Sequence, residues 1–175
     1  TVADLCKKRL PAAYGFSPLR DIQVLAPGRG GELGTASLNQ ILQAQLNPKL
    51  PGKAEAKIGP QLFRQGDKVM QVRNNYDIEY RKDDGEQNTG IFNGDIGIIE
   101  EIDRGEQSVR IRFDDRVATY SFEMMRELEL AYAVTVHKSQ GSEFEAVILP
   151  LMNMQSRLYY RNLLYTAVTR AKRLF

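Results

Sequence analysis

The stretch AYAVTVHKSQGSEFEAVILPL, residues 131–151, sets a polar loop between two apolar runs. AYAVTV and AVILPL have the length and make-up of buried strands. The loop between them, HKSQGSEF at 137–144, holds the only histidine of the chain. Thr135, His137, Lys138, Ser139 and Gln140 bring hydroxyl, imidazole, ammonium and amide groups together in one short span, and Gly141 lets the backbone approach a ligand closely. Hydroxyls, side-chain amides and backbone N–H groups of this kind bind phosphate oxygens. A solvated loop or a capped turn would use the same residues, so on composition both readings stay open.

Working outward, LLYTAVTRAK at 163–172 reads as a helix with Leu164, Ala167, Val168 and Ala171 as its apolar stripe. At about 100° per residue, Arg170 falls on the shoulder of that helix, where it could project into a cleft as easily as into solvent. Upstream, IQVLA at 22–26 ends at Pro27 and predicts a buried strand. After GRGGELG (28–34), Leu38, Ile41, Leu42 and Leu46 predict a helix, with Thr35 or Ser37 near its start and Asn47-Pro48 as its stop. GRGGELG lies where a dinucleotide fingerprint would lie, but Gly28-x-Gly30 then needs a glycine at 33, where the chain has Leu33. The glycines read as a tight turn before a helix, and Arg29 stands apart as a cation in that turn. Strand and helix at the start, then strand, loop, strand and helix at the end, make one α/β unit.

Between them the period changes. Residues 47–60, NPKLPGKAEAKIGP, carry three prolines and two glycines and read as a linker. In QSVRIRF, Val109, Ile111 and Phe113 alternate with Ser108, Arg110 and Arg112, the mark of a half-buried strand. DKVMQVR, DIGIIEEI and RVATYSF look alike, with breaks at Asn93-Gly94, Arg104-Gly105 and Asp114-Asp115. RKDDGEQNTG, 81–90, reads as a mobile loop. Four or five short strands in this span predict a small antiparallel barrel of SH3-like type at 61–125, inserted into an α/β domain made of 1–60 and 126–175. Its Arg64, Lys68, Arg73, Arg110, Arg112 and Arg116 either line a nucleic-acid strand or form a solvated face.

The 175 residues are 42% hydrophobic and 26% charged, the balance of a globular protein with a buried core. A net charge of +2 identifies no partner, so nucleic-acid binding has to come from local arrangement. A single cysteine, Cys6, leaves no internal disulfide and fits a reducing compartment. No apolar run approaches the roughly 20 residues that span a bilayer, and no signal-peptide pattern opens the sequence; a cytoplasmic protein without a membrane partner is expected. One histidine and one cysteine far apart make no metal site. The phosphate-gripping G-x-x-x-x-G-K-[ST] is missing, since Gly52-Lys53 is followed by Ala54 and preceded by no glycine at the right distance. The chain alone is expected not to hydrolyse ATP.

Taken together, VTVHKSQGSEFEAVIL and LLYTAVTRAK resemble motifs V and VI of superfamily 1 DNA helicases. The HKSQG form resembles the RecD-like branch, which includes the exodeoxyribonuclease V alpha subunit. VLAPGRGGELGTASLNQILQAQLNP, GDKVMQVRNNYD and FNGDIG agree with it. The resemblance implies a RecA-like second motor domain, partial, with an inserted SH3-like barrel; the family's next strand would begin where the chain stops at Phe175, leaving the sheet one strand short. It implies ATP and Mg2+ in the complete enzyme, held between this domain and an N-terminal motor domain of the same protein that carries both Walker motifs. Single-stranded DNA is the implied partner, nuclease-complex subunits are further partners in some members, and the direction is 5′ to 3′. By the same resemblance Arg170 is the arginine finger, with Arg29 as a second γ-phosphate contact. Gly141 and Glu143 lie near the nucleotide, and Thr135, His137, Lys138 and Ser139 face DNA. Gln140 sits between the two ligands. The other reading is a non-catalytic DNA- or protein-binding module built on the barrel.

Overall fold

Residues 22–26 are buried at every position because both neighbours of this strand are themselves strands. β1 (Ile22–Ala26) lies between β11 (Ala133–Thr135) and β12 (Phe144–Ile148), and β13 (Ala171–Leu174) closes the order β11-β1-β12-β13. Every pairing is parallel, and a parallel sheet covered on its faces needs continuous apolar runs in its central strands. This computed structural model describes residues 1–151 and 157–175. The chain divides into two units, Thr1–Pro48 with Tyr132–Phe175, and Lys49–Ala131.

In the first unit the chain opens with α1 (Val2–Asp4), a π-helical turn at Leu5–Arg9 and α2 (Leu10–Tyr14). The last of these stops at Gly15, whose φ of 71° suits glycine best. α3 (Thr35–Leu46) follows β1. Its cap is Gly34 rather than Thr35 or Ser37, and no side chain caps it. Its buried face is Leu38, Asn39, Leu42 and Gln43, while Ile41 is exposed, so the helix is rotated from the all-apolar stripe expected of it. The cause is Asn39. Its amide donates to the Ala133 carbonyl (2.9 Å) and its oxygen accepts the Ala133 N–H (2.8 Å), completing the outer edge of β11.

α4 (Arg157–Val168) ends two residues before Arg170, and Ala171 starts a strand instead of continuing the helix. Of the expected stripe only Ala167 is buried; Leu164 and Val168 are exposed. The sheet's fourth strand therefore lies at 171–174, inside the chain, where the sequence reading continued a helix.

The second unit is a seven-stranded antiparallel sheet. Its strands are β4 (Lys68–Gln71), β5 (Asn75–Lys82), β6 (Gln87–Ile91), β7 (Ile96–Asp103), β8 (Ser108–Phe113), β9 (Arg116–Ser121) and β10 (Leu128–Leu130), in the order β10-β4-β7-β8-β9-β5-β6. The curled antiparallel sheet is of SH3-like type. Val109, Ile111 and Phe113 are buried in strict alternation, as their period requires. Two segments depart from expectation. Residues 81–90 are not a free loop: β5 and β6 pair from Asn75↔Ile91 to Arg81↔Gln87 and turn at Asp83–Gly85. The span read as a linker contains β2 (Glu55–Ile58), paired with β3 (Gln61–Arg64). The compact unit runs from Lys49 to Ala131 and includes that hairpin, on which Ala56 and Phe63 are both buried. Inside, the Tyr120 hydroxyl donates to Gln71 Oε1 (2.9 Å), and Gln71 and Asn75 donate to Glu127 Oε2 (2.8 and 3.0 Å). Burial first, then the Glu127 carboxylate, pushes the Tyr120 hydroxyl well above its ordinary pKa, so it remains a donor.

Candidate functional site

The site follows from the direction of the strands. Thr135 stands opposite Ala26 at the C-terminal end of β1. Ala146 stands opposite Ile22 at its other end, and Phe144 opposite Ala171. Residues 136–143 therefore run the length of the sheet, about 20 Å at ~3.3 Å per residue. One short loop begins at one edge of the sheet and ends at the other.

At the starting edge the Val136 N–H donates to the Ala26 carbonyl (2.9 Å), continuing the pairing one step beyond β11. The loop then coils. Ser139 N–H donates to the Thr135 and Val136 carbonyls (3.1 and 3.2 Å), and the Lys138 N–H donates to Thr135 Oγ1 (3.2 Å). His137 is exposed, and Thr135 and Lys138 are half-buried. Ser139 is fully buried and its hydroxyl donates to the Val136 carbonyl (2.6 Å). It braces the turn from inside.

Arg29 belongs to this same edge. It follows β1 by three residues, in a loop whose Gly28 and Arg29 carbonyls accept from Thr35 and Ala36 at the start of α3 (3.1 and 3.2 Å). A Cβ on Gly34 would collide with the Gly30 and Arg29 carbonyl oxygens, so only glycine lets the loop close this tightly. GRGGELG is thus a compact helix lead-in. Arg29 follows the C-terminal end of β1 and Arg170 precedes the N-terminal end of β13, so the two lie at opposite strand ends.

Further along the loop Gln140, Gly141 and Glu143 are exposed, and Gly141 adopts φ +85. Arg170 sits in the turn between α4 and β13, not on a helix shoulder. Its carbonyl accepts the Phe144 N–H (2.8 Å), which locks its backbone to the end of the loop. Its Nη1 donates to the Ser142 carbonyl (3.1 Å) and its Nη2 to Thr169 Oγ1 (3.2 Å), while Nε is buried without a partner. Among the described residues no carboxylate pairs with it. A buried guanidinium N–H without an acceptor is costly unless a ligand completes it. The sequence singled out Arg170 but not the Ser142 carbonyl that aims it, because nothing local marks a carbonyl 28 positions away as its partner. Among the described residues no three His, Cys, Asp or Glu side chains gather to hold a metal ion.

The six barrel cations singled out in the sequence do not form a strip. Arg64 and Lys68 are buried, the former beside Glu55 (3.5 Å). Arg110 pairs with Glu100 and Glu101, Arg112 with Asp83 and Glu100, and Arg116 with Asp95. Only Arg73 is exposed without a partner among the described residues.

A mixed α/β unit with a parallel sheet, interrupted in sequence by an SH3-like unit, is the architecture of a helicase RecA-like domain with an insertion. Residues 38–113 match the family described as the ATP-dependent RecD-like DNA helicase SH3 domain, and 130–175 match the UvrD-like helicase C-terminal domain. The chain belongs to the RecD-like helicases, as part of their C-terminal region. It is 37% identical over 151 residues to the ATP-dependent RecD2 DNA helicase of Deinococcus radiodurans, covering 86% of this chain and 19% of that one. To the RecBCD enzyme subunit RecD of Buchnera aphidicola it is 27% identical over 152 residues, covering 86% of this chain and 23% of that one. The chain thus spans about a fifth of the length of these relatives. A crystal structure of the Pif1 helicase from Bacteroides in complex with ADP-AlF3 and ssDNA shares the fold, with TM-score 0.55 and 16% identity over 98% of this chain and 42% of that one. No helix among the described residues is long and apolar enough to cross a membrane.

Proposed function

We propose that this chain supplies one wall of an ATP-binding cleft and part of the single-strand grip of an ATP-dependent 5′ to 3′ DNA helicase. The observation that carries the reading is Arg170: a guanidinium with no carboxylate partner among the described residues, aimed by the Ser142 carbonyl, its Nε–H buried without an acceptor. Such a group suits a phosphate, being planar and permanently charged. In the complete enzyme the facing N-terminal motor domain holds ATP and Mg2+, which supply the phosphoryl-transfer chemistry. Arg170 then acts as the arginine finger, following charge as it develops on the transferred group. The exposed backbone at Gly141 and the Glu143 carboxylate, at the same edge, position the nucleotide, with Glu143 accepting from a ribose hydroxyl.

At the opposite edge Thr135, His137 and Lys138 hold phosphates of the strand, with Ser139 bracing their turn. Arg29 joins this group rather than the nucleotide group. Gln140 lies on the short path between the two edges, so cleft closure around the nucleotide displaces the grip along the strand. Without a Walker lysine the segment alone does not turn over ATP.

Arg170→Ala in the complete enzyme is expected to lower ATP turnover by about 10³ to 10⁵, with single-strand affinity kept. A steady-state ATPase assay beside a binding titration checks it; unchanged turnover removes the assignment.

A further inference from the structure

Three large apolar side chains are exposed in the barrel unit, Leu50, Tyr76 and Phe92, and two of them touch. Tyr76 (68% exposed) and Phe92 (39%) meet edge to face, with ring centroids 5.4 Å apart. The corner that carries them is built. Gln71 ties its two segments together, its N–H donating to the Asp95 carbonyl (2.9 Å) and its carbonyl accepting from Gly94 (2.8 Å). Asn74 Oδ1 accepts the Asn93 N–H (3.0 Å), and Asp95 accepts the Phe92 N–H (2.9 Å). Gly90 has φ +109, and a Cβ there would lie 2.8 Å from the Phe92 ring. The ring therefore rests against bare backbone, held outward in a fixed place. A side chain kept for the core would be buried, as Phe63 and Phe113 are. Arg73, an exposed cation with no ion pair among the described residues, stands three residues before Tyr76.

We infer that the Arg73–Tyr76–Phe92 corner is a stacking platform for an unpaired base of single-stranded nucleic acid. Aromatic faces next to a cation are the elements with which proteins hold single strands without reading sequence. Asp77, exposed beside Tyr76, and Asp95, engaged by Arg116, keep the corner near neutral, so stacking carries the contact and Arg73 adds one phosphate. The choice of a nucleic acid over a protein partner rests on the helicase reading. The Arg170 assay tests that reading separately, by turnover and not by affinity.

The experiment uses the complete helicase without nucleotide, an oligo-dT strand and an abasic strand of equal length. Tyr76→Ala with Phe92→Ala is expected to weaken oligo-dT binding about five-fold or more. Its salt slope stays as in the wild type, and it has no effect on the abasic strand. Tyr76→Trp restores binding. Arg73→Ala lowers the slope of log affinity against log salt by about 0.7 on both strands. A 5-iododeoxyuridine strand crosslinks to Tyr76 or Phe92 under illumination. Equal affinity of the double variant and the wild type on oligo-dT overturns the inference. An equal loss on oligo-dT and the abasic strand, or crosslinks only elsewhere, overturns it as well and leaves the corner a protein-binding or folding element. Tyr76→Ala alone, at so exposed a ring, guards against misfolding and is expected to show part of the same loss.

Discussion

A cation's neighbours decide its work more than its position in a motif does. Arg110, Arg112 and Arg116 look like strand-binding residues in a linear reading, yet each has a carboxylate within 3.6 Å. Arg170 and Arg73 have none among the described residues. Lys138, half-buried three residues after Thr135 ends β11, is the cation proposed for the strand grip. Lys138→Ala in the complete enzyme is expected to lower the salt slope of single-strand binding by about 0.7, as for one phosphate lost. Titrations at several salt concentrations measure it, and an identical slope would exclude the contact. The residue types of the 135–143 loop were legible in the sequence. Which of them face outward was not, because Ser139 and Thr135 bond within the turn and a hydroxyl's partner leaves no local trace.

Elements succeed or fail by what their faces meet. The apolar spacing of α3 predicted a helix at the right place with Leu38 and Leu42 on its buried face, but that face turns toward Asn39 and Gln43 and leaves Ile41 exposed, since a buried asparagine outweighs one leucine-like position when an edge strand lacks partners. Asn39 satisfies both backbone groups of Ala133, and the strand it secures leads directly into the 136–143 loop. Asn39→Ala leaves a buried N–H and C=O unpaired and is expected to cost about 2–4 kcal/mol; the shift in denaturant midpoint reads it. Asn39→Leu, closer to the amphipathic ideal, should be no better. The opposite error occurred at α4, where helical spacing was carried through Ala171. Backbone pairing of Phe144 with Arg170 and of Ala146 with Leu174 favours a strand there, and it is this switch from helix to strand that leaves Arg170 in a turn at the sheet's edge.

At the scale of the whole chain, two units with different periods share one polypeptide. Lys49–Ala131 contains its own buried residues, from Phe63 and Val69 to Tyr120 and Leu128, and its own polar network about Glu127. Expressed alone, 49–131 is expected to unfold in one cooperative step. Chemical denaturation followed by circular dichroism checks this, and a shallow, non-cooperative loss of signal would show that the unit needs the flanking chain. The sequence by itself determined the alternation that separates an α/β unit from an inserted antiparallel one, the loop that carries the polar groups, and the arginine near the end. Those are local patterns, and side-chain period with turn chemistry is enough to impose them. Only the tertiary structure decided that the loop spans the sheet from edge to edge, that Arg29 and Arg170 stand at opposite ends, and that a barrel edge holds two aromatic rings outward. Each of these depends on strand order and on partners far apart in sequence. Pairing across such distances is chosen by the competition of all buried groups for partners, which no single segment encodes.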